Sequence, residues 1–101
     1  MAMLHTVNKS PFERNSLASC LGHAKAGSSV LLFEDAIYAA VKGSDAADRL
    51  KKATGISVYA LGPDLKARGI GEDQIIEGVS VVDYGGFVDL VTKHDNVQSW
   101  L

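Results

Sequence analysis

The sequence predicts an α/β domain in which a mainly parallel sheet lies between two layers of helix. Three observations carry that expectation. Short β-prone apolar runs at residues 3–7, 29–33, 56–61 and 79–82 alternate with helix-forming segments along the whole chain. The second run, Ser29-Val30-Leu31-Leu32-Phe33, is apolar almost throughout, the pattern of a strand covered on both faces. The apolar residues are mainly Ala, Val, Leu and Ile, with only 7% aromatic, a mix suited to strands under small-residue helices.

Taken in order, Met3 to Val7 forms a first strand, closed at once by polar residues. Ser10-Pro11-Phe12-Glu13 has the form of a helix start, with Ser as N-cap, Pro at the first helical position and Glu three residues after the cap. Asn15 or Ser16 offers a later start. Leu17, Cys20, Leu21 and Ala24 fall at i, i+3, i+4 and i+7 and make one apolar stripe, with Gly27 as the expected C-cap. After the second strand, Glu34-Asp35 leads into a short helix over 36–41, and Ser44-Asp45 caps another that runs to about Thr54 and ends at Gly55. Gly62-Pro63-Asp64 reads as turn and cap before one helical turn at 65–68. A last helix is expected over about 86–93, followed by an apolar tail, residues 97–101, that contains Trp100. No internal repeat, low-complexity segment or linker interrupts the 101 residues, which are expected to form one domain.

Composition removes several classes of function. The chain is 47% hydrophobic and 22% charged, as folded proteins are. Its net charge is -2, its sequence pI is near 5.8, and it has no run of Lys or Arg, so neither a direct nucleic-acid footprint nor a membrane-surface patch is expected. No apolar run approaches the roughly 20 residues of a membrane-spanning helix. No export signal is visible, and a lone cysteine fits a reducing compartment, so the cytoplasm is the expected location.

The strand ends should gather Asn8, Lys9, Glu34, Asp35, Asp64 and Asp83 at one edge of the sheet, where open α/β sheets bind ligands. The same carboxylates are also what helix N-caps and first turns require, and capping is the favoured reading. The turn after the first strand has no glycine, against a phosphate loop, and Gly69-Ile70-Gly71 reads as a turn. His5, His23 and His94 share no ligand spacing, so no metal and no cofactor is expected. Cys20 is the remaining candidate for chemistry. A thiol passes sulfur only as thiolate, which needs access and a nearby positive charge or donor. On an apolar helix stripe it equally suits a packed core position.

The chain resembles the DsrH/TusB family over essentially its full length. The resemblance rests on Met3-Leu4-His5-Thr6 with Ser10-Pro11, on Leu31-Leu32-Phe33-Glu34-Asp35 with Ala39-Ala40, and on Val58-Tyr59-Ala60-Leu61 with Asp64-Leu65-Lys66-Ala67-Arg68-Gly69. Val82-Asp83-Tyr84 with Phe87-Val88-Asp89-Leu90 and the Gln98-Ser99-Trp100-Leu101 tail complete it. It implies a DsrE-like, flavodoxin-like α/β fold and a place in a cytoplasmic sulfur-relay heterohexamer with DsrE/TusD-like and DsrF/TusC-like subunits. Such complexes move persulfide sulfur between carriers, toward 2-thiouridine in tRNA or, with a DsrC/TusE-like acceptor, in sulfur oxidation. The principal catalytic cysteine is then expected on a partner. Cys20 matches a helix-1 cysteine of DsrH-type members, which tilts the resemblance to that branch and makes Cys20 a candidate auxiliary sulfur carrier. The segment after Asp35 and the Trp100-Leu101 tail are the expected contact surfaces. A receiver-like signalling module is the unrelated alternative, disfavoured because its acidic pair would have to follow the first strand.

Overall fold

The computed structural model describes residues 3–10, 16–53, 55–94 and 96–100. They build a five-stranded sheet: β1 (Met3–Val7), β2 (Ser29–Leu32), β3 (Ser57–Leu61), β4 (Val79–Val82) and β5 (Asn96–Trp100). Its order is β4-β3-β2-β1-β5, and every pairing is parallel. The helices are α1 (Ser16–His23), α2 (Asp45–Lys52), α3 (Gly62–Ala67) and α4 (Tyr84–Lys93), with a 3-10 helix at Glu34–Ala40 and a shorter one at Glu72–Gln74. None of these helices is long and apolar enough to cross a membrane.

The sheet alternates, and each face has its own core. Val7, Val30, Leu32, Val58 and Ala60 point to one side, where they meet Leu17, Cys20, Ala36, Ile37, Ala39, Ala40, Leu50 and Leu65. Leu4 and Leu31 point to the other, where Leu90 of α4 joins them as a buried apolar partner, with Tyr59, Val82 and Phe87 half-buried around it. Leu4, Val7, Val30, Leu31, Leu32 and Ile37 are fully buried. Each such side chain contributes about 1.5–3 kcal/mol relative to an exposed one.

Sequence chemistry explains most of the boundaries. Ser44 caps α2, its Oγ accepting the Ala47 N–H at 3.0 Å, and Asp83 caps α4 by accepting the Gly86 N–H at 2.8 Å. Gly55 turns the chain into β3 with φ +75, and its carbonyl accepts the Gly27 N–H at 2.7 Å. Glu34 has φ 48, a left-handed conformation that costs a non-glycine residue about 1–2 kcal/mol. Its N–H donates to Asp64 Oδ2 at 2.6 Å, a charge-assisted bond that offsets the strain.

Several expectations are corrected. The fifth strand was expected as an apolar tail; it pairs residue for residue with β1, from Met3 opposite Asn96 to Val7 opposite Trp100. Helix α1 ends at His23, so Gly27 lies in the following turn and is not its C-cap. Gly62 and Pro63 lie inside the first turn of α3, where a proline loses no helical bond. The Ser10-to-Glu13 helix start falls largely outside the described residues.

Gly86 approaches the sheet so closely that an added Cβ would stand 2.9 Å from Val82 Cβ and 3.3 Å from its Cγ1. Gly86→Ala therefore gains helix propensity but loses more to overpacking, a net destabilisation of about 1–2 kcal/mol. Urea unfolding checks this as a lower midpoint at unchanged slope.

Candidate functional site

In an open α/β sheet the crevice forms where neighbouring strands send their chains to opposite sides. Here β1 leads through α1 to β2, while β5 arrives from α4 on the other side of β1. The switch point is thus the β1–β5 pair, and α1, which carries Cys20, leans on it.

Three aromatic side chains meet at this corner. Trp100 Nε1 donates to His5 Nδ1 at 3.1 Å. An indole N–H only donates, so His5 is neutral with its own proton on Nε2. The Trp100 ring centroid lies 6.2 Å from that of His5 and 5.4 Å from that of His23 on α1. His23 Nδ1 lies 2.7 Å from the Ser19 carbonyl one turn back. His5 is 3% exposed, and burial, then the nearby His23 charge, holds its pKa below the ordinary 6.5. His5 lies in the middle of β1 and faces the larger core.

Cys20 is fully buried in that larger core, the same packed cluster against which Trp100 leans. Burial pushes its thiol up to about 12. A thiol so placed is protonated and out of reach of a donor, and in this conformation behaves as a small apolar side chain.

The polar residues expected at the sheet edge act mainly as braces. Asp83 caps α4 and Asp64 holds the Glu34 N–H, as above. Arg68 reaches across to Asp35, with Nη2 at 2.9 Å and Nε at 3.0 Å from Oδ1. Asp35 is half exposed, so this pair adds at most about 1 kcal/mol. Asn8 follows β1 and has a buried Oδ1 without a hydrogen-bond partner among the described residues. His94 staples the other end of the sheet: Nδ1 donates to the Leu90 carbonyl at 2.6 Å, leaving Nε2 to accept from Ser29 Oγ at 2.9 Å. No group of three or more His, Cys, Asp or Glu side chains suited to a metal ion occurs among the described residues. The Trp100 contact to His5 escaped the sequence because it depends on β5 pairing; a terminal β-prone segment directly after a helix was the available signal.

The contact surfaces expected from sequence are also relocated. Ala36, Ile37, Ala39 and Ala40 are buried inside the core, and Trp100 is half-buried; Leu101 lies outside the described residues. Among the described residues, the exposed large apolar side chains are Tyr84, Val88 and Val91 along α4, and Val97 on β5.

Because His5 has a folded pKa below 6.5, the unfolded chain takes up this proton first as pH falls. The stability its neutral ring contributes is complete above 6.5 and is lost as pH drops through the folded value. Urea midpoints read by the emission of Trp100, the one tryptophan, are expected to fall between about pH 8 and pH 5, and to fall less in His5→Gln. An equal fall in the variant assigns the effect to another group.

Residues 9–97 match the family described as DsrH like protein. The chain is 37% identical over 98 residues to Protein TusB of Pectobacterium parmentieri, spanning 97% of this chain and 100% of that protein. Protein TusB of Escherichia coli strain K12 is 39% identical over 98 residues with the same coverage. Among solved structures, the ychN protein from Escherichia coli superposes with a TM-score of 0.81 at 16% identity over 99% of each chain. A protein of unknown function from Methanobacterium thermoautotrophicum gives a TM-score of 0.75 at 19% identity over 96% of each chain. Those two likenesses concern the fold alone, and they agree with the α/β class read from the sequence. Matched over most of its length by the family and from end to end by its relatives, the chain belongs to the DsrH/TusB family.

Proposed function

We propose that this chain, as a single DsrH/TusB-like domain, is a cytoplasmic subunit of a sulfur-relay assembly. In this reading it stands with DsrE/TusD-like and DsrF/TusC-like subunits, two copies of each, and a partner holds the principal sulfur-carrying cysteine. The assembly passes persulfide sulfur to a DsrC/TusE-like acceptor. That transfer serves tRNA wobble-uridine 2-thiolation, the role implied by the TusB relatives, or sulfur oxidation in a DsrEFH context.

One observation carries the structural part of this reading. Among the described residues helix α4 covers its face of the sheet alone, and it turns Tyr84 and Val88, each 61% exposed, and Val91 outward at i, i+4 and i+7. A contiguous apolar helix face left to solvent is the mark of a partner surface. Co-expression with neighbouring DsrE- and DsrF-like chains is expected to give a mixed complex by native mass measurement, and Val88→Asp to weaken it without unfolding the chain. A chain that stays monomeric with those partners rejects the reading.

Cys20 as an auxiliary sulfur carrier is the second reading, supported by its place on the helix that follows β1. Its thiolate would attack the outer sulfur of a donor persulfide; the donor leaves as a thiolate, and Cys20 becomes the persulfide. That step requires α1 to lift, since the thiol is fully buried. Incubating the assembled complex with a persulfide donor should add one sulfur to this chain and none to Cys20→Ser. If wild type gains nothing, the chain's role is structural only.

A further inference from the structure

Charge is unevenly spread on this chain of net charge -2. Helix α2 ends with Arg49, Lys51 and Lys52, and Lys25 follows shortly after the end of α1. Between the two helices runs a cavity of about 330 Å³, lined by Leu21 and Gly22 from α1 and by Arg49, Lys52 and Ala53 from α2 and its end. Leu21 and Ala53 are half-buried and form an apolar floor, while Arg49 and Lys52 stand exposed on one rim. Neither cation has an ion-pair partner among the described residues, whose ion pairs both belong to Arg68. A basic last turn complements the helix dipole, and one such residue suffices for that. Dipole compensation does not require two cations on the rim of an apolar groove, left unpaired beside the next helix.

We infer that the α1–α2 groove is a docking site for an acidic, apolar-containing segment of another protein. Its carboxylates would meet Arg49 and Lys52, and its apolar side chains would cover Leu21 and Ala53. The apolar floor and the shortness of the basic patch favour a polypeptide over a nucleic-acid backbone, which would call for a longer basic track. Among the described residues, the lining offers no polar side chain beyond the two cations with which to grip and orient a small anion. This surface is distinct from the exposed stripe of α4, so its test stands apart from the assembly proposed above.

The probe is a fluorescein-labelled peptide of alternating glutamate and leucine, titrated into the full-length chain at low salt and followed by anisotropy. Binding is expected to weaken about tenfold or more in R49E/K52E, to weaken less in R49Q/K52Q, and to fade as salt rises. K66E, a single charge reversal on the exposed surface of α3, should leave it unchanged. Amide resonances of Leu21, Gly22 and Ala53 should shift on titration. Equal binding by R49E/K52E with its circular dichroism unchanged overturns the inference. So do equal loss in K66E, shifts confined to other elements, or a single-stranded RNA oligomer that displaces the peptide.

Discussion

The arrangement depends on β1 being paired along both edges. Its residues Leu4 to Val7 match β2 on one side and all five, MLHTV, match β5 on the other, each in parallel register. A strand enclosed in this way has no free edge, and its backbone groups find partners only if both neighbours hold their register. The side chains follow from that constraint. Leu4 must face one core and Val7 the other, and both are fully buried. His5 must face the larger core, where Trp100, held in place by the β1–β5 register, donates to its buried, neutral ring.

The same constraint decides the fate of the thiol. Helix α1 connects β1 to β2 and has to bury its apolar stripe against the sheet those strands form. Leu17 and Cys20 are the sealed part of that stripe. Good packing of α1 and a reactive Cys20 are therefore opposed: what stabilises the helix withdraws the solvent and charge that a thiolate needs. Chemistry at this position is coupled to whatever moves α1.

The two faces of the sheet are unequally served. One carries α1, the 3-10 helix at Glu34–Ala40, α2 and α3 over a large core; among the described residues the other carries α4 alone, whose Leu90 packs with Leu4 and Leu31. Covering a parallel sheet on both faces is the general rule, and a single ten-residue helix discharges it narrowly. Outward apolar side chains on that helix then have no internal role, whereas the α1–α2 groove on the other side combines an apolar floor with two cations that form no ion pair among the described residues. One small fold so presents two chemically different surfaces.

Local rules were legible in the residues. Strands β1 and β4 have the expected bounds, β2 and β3 differ by one residue, and Ser44 caps its helix because that hydroxyl is suited to bond a free N–H within one turn. The preference for capping over catalysis at Asp83 was readable for the same reason, whereas Asp64 bonds the Glu34 N–H of a distant segment. The membership of β5 was not. Asn96-Val97-Gln98-Ser99-Trp100 has no alternation strong enough to declare a strand, and it is one only because β1, more than ninety residues earlier, offers an unpaired edge. The apolar stripe containing Cys20 could be read from its spacing, but spacing is blind to what lies opposite. Whether the thiol meets solvent, a partner or the core was decided by the sheet beneath it. Sequence determines what each residue prefers within a turn or two of chain; burial and pairing are set by residues distant in sequence, and only the assembled fold brings those to bear.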